Sequence, residues 1–536
     1  MYSLNLNLYL CQIAIIAMIC VFISINNSQF INKLLQERII KIYEKIFMKS
    51  KSRLLALSYC FLLAFIVLSI YGYTTSPFYD EPGSFDSALF QIVGKGWLEG
   101  KLPYVDLWDM KGPLLFFINY LGYLLFGARV GVFVIELFAL TVTLYILWKL
   151  LRQGFSCKYS YILVLLPAFS FAANNVGGNN AAEYLLPLLA LSFYLLYKWI
   201  DKVEKKHINY HPAKYAFLYG SVLSFSLMTR LTNAVGVCAI VGVIAIWLLK
   251  EKNYKNLFQN IFCFLLGFAI LFIPFAAYFA YHNALGEMWY GTFLYSLDYA
   301  SASGSDLHSL SGIVRVLVHF ADTWLLLIVA ISIFIWNSHR RFAALIWFFA
   351  STFSLIWFLR GYGFSHYGLI SLPCICISFL ELKNLYKEKN APIYFYYGII
   401  LSTIYGIATI ASCLYSYKMF TTMYIDNKTL ANYRVFLKNI PADYRQSFIA
   451  YNCNPDLYQY EHITPYYRFF AVQDFESSSS KSLKLKIRKT FSGDVKWILV
   501  QGDAIEISNI LKERYTIYKE DHSLRLRLYK IKDHSQ

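Results

Sequence analysis

The sequence predicts a polytopic α-helical membrane protein with a small C-terminal α/β domain, and three observations carry that prediction. Of 536 residues, 58% are hydrophobic and 15% are charged, where a soluble domain carries about a quarter. The apolar residues fall in runs long enough to cross a bilayer, which takes about 20 residues per helix. The segments between those runs alternate in charge. A mean hydropathy of +0.45 agrees with all three.

The first apolar run, 8–26, has three readings. It is a twelfth span with its N-terminus outside, an uncleaved signal-like segment without a small-residue cleavage pattern, or the product of a mistaken start site. Met48-Lys49-Ser50-Lys51-Ser52-Arg53 followed by an apolar run has the form of a bacterial N-terminus. Residues 1–47 are therefore set apart as an extension. About eleven core spans follow, at 54–73, 130–150, 159–173, 183–200, 215–229, 233–249, 257–281, 314–336, 342–359, 366–381 and 393–415.

Basic clusters occupy every second connection: Lys41 to Arg53, Lys149 to Lys158, Lys202 to Lys214, Lys250 to Lys255, Arg340-Arg341, and Lys383 to Lys389. By the positive-inside bias these face the cytoplasm. The other set, 74–129, 174–182, 230–232, 282–313 and 360–365, is richer in Gly, Asn, Ser, Tyr and acids and belongs outside. Orientation also accounts for the net charge of +17, so no nucleic-acid partner is expected although basic patches can bind phosphate backbones. Most of the ten cysteines fall in apolar runs, and the spacing supports neither a disulfide framework nor a zinc site.

The last core span ends outside, which places the polar tail 416–536 there too. The alternating stretch 495–500 and the helical stretch 503–514 give it an α/β character, with Ser477 to Ser480 expected as a loop.

Chemistry is expected in the external loop 74–129. It opens Tyr79-Asp80-Glu81-Pro82-Gly83-Ser84-Phe85-Asp86 and continues Gly100-Lys101-Leu102-Pro103-Tyr104-Val105-Asp106-Leu107-Trp108-Asp109-Met110-Lys111-Gly112-Pro113 before an apolar helix at 114–126. Adjacent carboxylates at the mouth of a helix bundle suit a general base and an orienting group. A solvated turn is the bland alternative, since Asp, Pro, Gly and Ser are turn residues. Lys111, just before a helix that meets the bilayer, is placed to hold a lipid phosphate; ordinary snorkelling is its plainer explanation.

The order Asp-Glu, Gly-x-x-Pro-Tyr-x-Asp, Asp-x-Lys-x-Pro-Leu and Leu-Phe-Gly resembles the first external loop of the GT-C glycosyltransferases. Among them it is most similar to the relatives of the protein O-mannosyltransferases and the lipid A aminoarabinose transferases. Asn179-Asn180-Ala181-Ala182-Glu183 with Pro187, Met228-Thr229-Arg230-Leu231-Thr232, and His366-Tyr367 with Leu372-Pro373 resemble further segments in the same order, over roughly 54–415. Relatives often have Lys-Pro-Pro where this chain has Lys111-Gly112-Pro113.

The resemblance implies a GT-C-like transferase that uses a polyprenyl-phosphate-linked sugar at the outer face of the bacterial cytoplasmic membrane. The acceptor would be a glycan, lipid or protein. Asp80 would deprotonate the acceptor hydroxyl or help hold a divalent metal ion, and Glu81 would orient acceptor or donor. Lys111 would bind the lipid phosphate, assisted by Arg230 or an external arginine such as Arg315. Asp86, Tyr104, Asp106, Asp109, Glu183, His366 and Tyr367 complete the candidate substrate site. Sugar nucleotides are not available outside, so external transfer needs a membrane-borne donor, and a phosphate leaving group departs with little acid help. A transporter or flippase, which predicts internal repeats and ionisable groups at mid-membrane, and a glycan polymerase or ligase are the competing readings.

Overall fold

The computed structural model describes residues 52–80, 85–127, 129–175, 177–302, 324–336, 338, 340–359, 364–387, 393–421 and 429–532. The chain divides into two compact units, Met1–Tyr59 and Cys60–Gln536. Of the first, only the opening turns of the helix Ser52–Tyr71 are described, so the run 8–26 lies outside the described residues.

Every core run from 54 onward coincides with helix over its described residues, which leave out 314–323 of the run 314–336. Seven helices are long and apolar enough to span a bilayer: Ser52–Tyr71, Arg129–Leu151, Leu231–Lys250, Tyr254–Tyr281, Arg341–Phe358, Ser365–Tyr386 and Ile393–Phe420. The helices Leu186–Lys206, Ala213–Leu227 and Leu325–Trp336 cover three more runs. The expected span 159–173 is two helices, Cys157–Leu163 and Leu165–Asn174, which meet at Val164. Pro167 explains the break, because it has no N–H to donate to the Leu163 carbonyl four residues back. The last helix runs to Phe420, beyond the expected end at 415.

On Tyr254–Tyr281 and Ile393–Phe420 the exposed side chains are large and apolar, among them Phe258, Phe262, Ile270, Ile404, Ile407 and Leu414. Such faces are stable against lipid, since a helix satisfies its own backbone polar groups there. The chain is a membrane protein.

Among the described residues, the two sets of connections separate to opposite ends of the bundle. At one end Thr74 N donates to Gly177 O (2.9 Å), Arg230 lies over the Tyr367 ring (3.4 Å to its centroid), and Tyr73 stacks on Phe420 (4.0 Å). At the other, Arg340 pairs with Glu381 (2.8 Å) and Glu204 (2.9 Å), and the His211 backbone N–H donates to Asn256 Oδ1 (2.7 Å).

The tail builds a five-stranded sheet in the order β2-β1-β3-β5-β4. Its strands are β1 (Phe448–Tyr451), β2 (Ala471–Val472), β3 (Trp497–Gln501), β4 (Tyr515–Asp521) and β5 (Leu526–Ile531). β1 is parallel to β2 and β3, and β5 is antiparallel to β3 and β4. The sheet lies over the first loop. Trp108 N donates to Arg468 O (2.9 Å), the Trp108 ring meets Tyr290, Tyr295 and Phe469, and Arg468 pairs with Glu287 (2.6 Å). The serine patch expected as a loop is helix, Asp474–Ser479. Gln473 and Glu476 form a capping box there, which satisfies two N–H groups that would otherwise fray the first turn. The helix is held to the bundle by Tyr295, whose hydroxyl bonds Ser479 Oγ (2.8 Å).

Candidate active site

The loop after the first core helix is not irregular throughout. Residues Phe85–Leu98 form a helix that the sequence pattern did not single out, and Pro113–Phe126 forms the expected one, with Pro at its first turn. A buried amide and hydroxyl network pins the start of the Phe85–Leu98 helix. Asn179 Nδ2 donates to Asn119 Oδ1 (2.9 Å) and to Ser87 Oγ (3.1 Å), and Thr74 Oγ1 donates to Ser87 Oγ (2.9 Å). Asn179 occupies the left-handed region at φ 58°, which Asn tolerates better than most residues. Asp86, next to Ser87, is fixed by this network.

Lys111 is positioned from both sides. Tyr104, buried and with φ 69°, donates its hydroxyl to Lys111 O (2.6 Å). Gly112 N then donates to Thr229 O (3.1 Å), and Leu114 N to Met228 O (2.9 Å), so the Lys111 turn is joined to the segment that carries Arg230. Gly112 sits at φ −71°, which any residue adopts; what excludes a side chain is space. A Cβ there would stand 2.1 Å from the Met228 carbonyl carbon and oxygen. A proline, as relatives often carry, would also lose the N–H donated to Thr229. Gly112→Ala is therefore expected to cost about 1–3 kcal/mol or more by overpacking. It should lower the Tm of the detergent-solubilised protein, and an unchanged Tm would show that the contact can relax.

Around Lys111 stand acids from two parts of the chain. Asp109 is buried, with Oδ1 accepting from its neighbour Met110 N (2.7 Å) and Oδ2 without any hydrogen-bond partner. Burial pushes its carboxyl up to about 6; Lys111 opposes the shift and Asp86 adds to it. Glu476, from the tail, is pushed up to about 8. Burial is the main cause, the Gln473 N–H and Lys111 oppose it, and Asp109 and Asp86 reinforce it. Arg230 and Lys111 both act electrostatically on His366. Asp86, Asp109, Lys111 and Glu476 thus influence one another electrostatically, as do Lys111, Arg230 and His366, and Tyr367 lies under the Arg230 guanidinium.

A raised carboxyl keeps a proton in the folded chain that the unfolded chain has released, so stability falls as pH rises through that window. For Glu476 the window runs from about 4.5 to about 8, and for Asp109 from about 3.8 to about 6. Above about 6, the difference in Tm between wild type and Glu476→Gln isolates Glu476. Wild type is expected to lose Tm relative to the variant between about 6 and about 8, and parallel curves would contradict the protonated carboxyl.

Other expected site residues are placed differently. Asp80 is exposed at the head of the loop, while Glu81 and Arg315 lie outside the described residues. Asp106 is exposed and its Oδ2 accepts from Leu102 N (2.6 Å), closing a turn. Glu183 is buried, accepts from Asn180 Nδ2 (3.2 Å) and meets Glu136 of the helix Arg129–Leu151. Glu136 in turn accepts from Thr75 Oγ1 and the Asn179 N–H. This pair braces the loop's base. Among the described residues, no three His, Cys, Asp or Glu side chains are arranged to hold a metal ion, and Lys111 within the acidic group adds a competing cation. Sequence reasoning missed Glu476, whose one signal was the Gln473-x-x-Glu476 capping pattern.

Residues 110–281, which begin at the Lys111 turn and include Arg230, match the model of the dolichyl-phosphate-mannose-protein mannosyltransferase family. No curated protein matches the chain in sequence. Among solved structures, ArnT from Cupriavidus metallidurans bound to undecaprenyl phosphate is similar at 10% identity and a TM-score of 0.49, over 89% of this chain and 97% of that one. The Archaeoglobus fulgidus oligosaccharyltransferase in the apo form is similar at 11% identity and 0.46, over 83% of this chain and 69% of that one. The family match thus falls on the segment of this helical membrane bundle that runs from the Lys111 turn past Arg230.

Proposed function

We propose that the protein transfers a sugar from a polyprenyl-phosphate donor to a cell-envelope acceptor at the outer face of the bacterial cytoplasmic membrane. The observation that carries this reading is the Gly112–Thr229 backbone contact, which brings the Lys111 and Arg230 segments together at the head of the apolar helix Pro113–Phe126. Two cations there suit a phosphate carried on a lipid. Lys111 supplies a point charge, and Arg230, its guanidinium plane fixed on Tyr367, supplies a fork of N–H donors that matches phosphate oxygens.

In the transfer, an acceptor hydroxyl attacks the anomeric carbon as the bond from that carbon to the phosphate oxygen breaks. Lys111 and Arg230 stabilise the negative charge left on the phosphate, which is the electrostatic part of catalysis. Asp80, with Glu81 beside it, removes the hydroxyl proton from the solvent side. The basic connections at the opposite end of the bundle support the outward orientation of this site, by the positive-inside bias.

Lipid-linked sugars and surface glycans of a deletion strain test the proposal. A lipid-linked sugar is expected to accumulate while one sugar disappears from the surface glycan, lipid or protein. Purified full-length protein should then move that sugar from the extracted lipid onto the deletion strain's envelope in detergent solution, which a flippase cannot do. Absence of transfer from that extract would remove the proposal.

A further inference from the structure

We propose that Asp109 of the first loop and Glu476 of the C-terminal domain together form the acceptor subsite, and that they bind neighbouring hydroxyls of a glycan. This rests on the transferase reading above and adds to it the part of the molecule that selects the acceptor.

The Trp108 ring packs on Tyr295 (5.8 Å between centroids), whose hydroxyl donates to Glu476 O (3.3 Å), so Asp109 and Glu476 are brought together from separate elements. Both also feel Lys111 and Asp86 electrostatically. Asp109 is held on the Trp108 turn, whose N–H is fixed to Arg468 O (2.9 Å). Glu476 is held by the capping box and by Tyr295. The independent sign of a ligand is Asp109 Oδ2. It is buried to 5% exposure in its residue and has no donor. A buried acceptor without a donor costs about 1–3 kcal/mol, and a substrate hydroxyl would satisfy it.

The chemistry of the pair narrows the class. At neutral pH Asp109 accepts hydrogen bonds and carries negative charge while Glu476 keeps its proton, so a phosphate-rich acceptor is repelled at Asp109. A single serine or threonine hydroxyl engages only one of the two groups. Two adjacent ring hydroxyls engage both, one donating to Asp109 and the other bonding Glu476. The same arrangement gives the C-terminal domain its role: by carrying Glu476 it completes the acceptor site instead of serving as a separate module.

The test uses full-length protein, donor lipid extracted from the deletion strain, and graded amounts of envelope glycan purified from the same strain. Undecaprenyl phosphate binding, read by intrinsic tryptophan fluorescence, is measured beside it. Glu476→Gln keeps shape and one donor group, and Asp109→Asn removes the accepting charge. Each is expected to raise the half-saturating amount of glycan about tenfold, while half-saturation by donor lipid and binding of undecaprenyl phosphate stay as in wild type. A shift in donor half-saturation instead, or no shift in either, overturns the subsite. If wild type transfers the sugar only to protein or lipid fractions, the glycan assignment is overturned. If wild type transfers to nothing, it is the transferase reading that fails, and undecaprenyl phosphate binding tells the two apart. Should Asp109→Asn unfold the protein, Glu476→Gln alone decides.

Discussion

Lys111→Ala is expected to lower affinity for undecaprenyl phosphate by about 10- to 150-fold, the equivalent of the 1.5–3 kcal/mol typical of hydrogen bonds to charged groups. Ordinary snorkelling would leave that affinity unchanged, because a snorkelling lysine interacts with the bulk headgroup layer and not with one bound phosphate. The structure gives the residue little freedom to act otherwise. Tyr104 holds its carbonyl and the Gly112–Thr229 pair holds the next residue. Fluorescence titration in detergent measures the effect. A second signature follows from the charge: Lys111 holds Asp109 down from a still higher value, so its removal should move any Asp109-dependent step in the pH profile upward. A variant with normal lipid binding but weaker glycan binding would assign Lys111 to the acceptor instead.

Asp80→Asn is expected to reduce turnover by about 10²–10⁴-fold, the usual contribution of a positioned general base. Folding and undecaprenyl phosphate binding should be unaffected, because Asp80 is exposed. The substitution keeps size and polarity and removes only the ability to take a proton. Single-turnover transfer from the extracted donor lipid is the measurement. Near-normal turnover would pass the role of base to another carboxylate, and Asp109, pushed up to about 6, is the next to replace. The two predictions separate cleanly, since one moves binding and the other moves the chemical step.

Membrane class, span positions and the division of connections into two sets were legible in the sequence, because a bilayer imposes length and apolarity on each segment independently of its neighbours. The candidacies of Asp86, Asp109, Lys111, Arg230, His366 and Tyr367 were legible too, as polar residues in otherwise apolar surroundings. Their grouping was not. The segment of Arg230 comes to that of Lys111 because Gly112 lets two backbones approach within hydrogen-bond distance, a contact between segments more than a hundred residues apart. Glu183 and Asp106 looked equivalent to the others in sequence, and only packing sends the first to Glu136 and the second to a local turn. The serine patch was misread because a capping box depends on where Gln473 and Glu476 sit relative to a helix start.

By itself the sequence determined which segments form apolar helices and which residue types line the loop-bearing end, since hydropathy and charge are local properties of the chain. Only the tertiary structure decided that the C-terminal domain closes over the first loop and brings Glu476 to Asp109. Burial of a carboxyl against another 367 residues away is set by how two domains pack, and no local pattern encodes it.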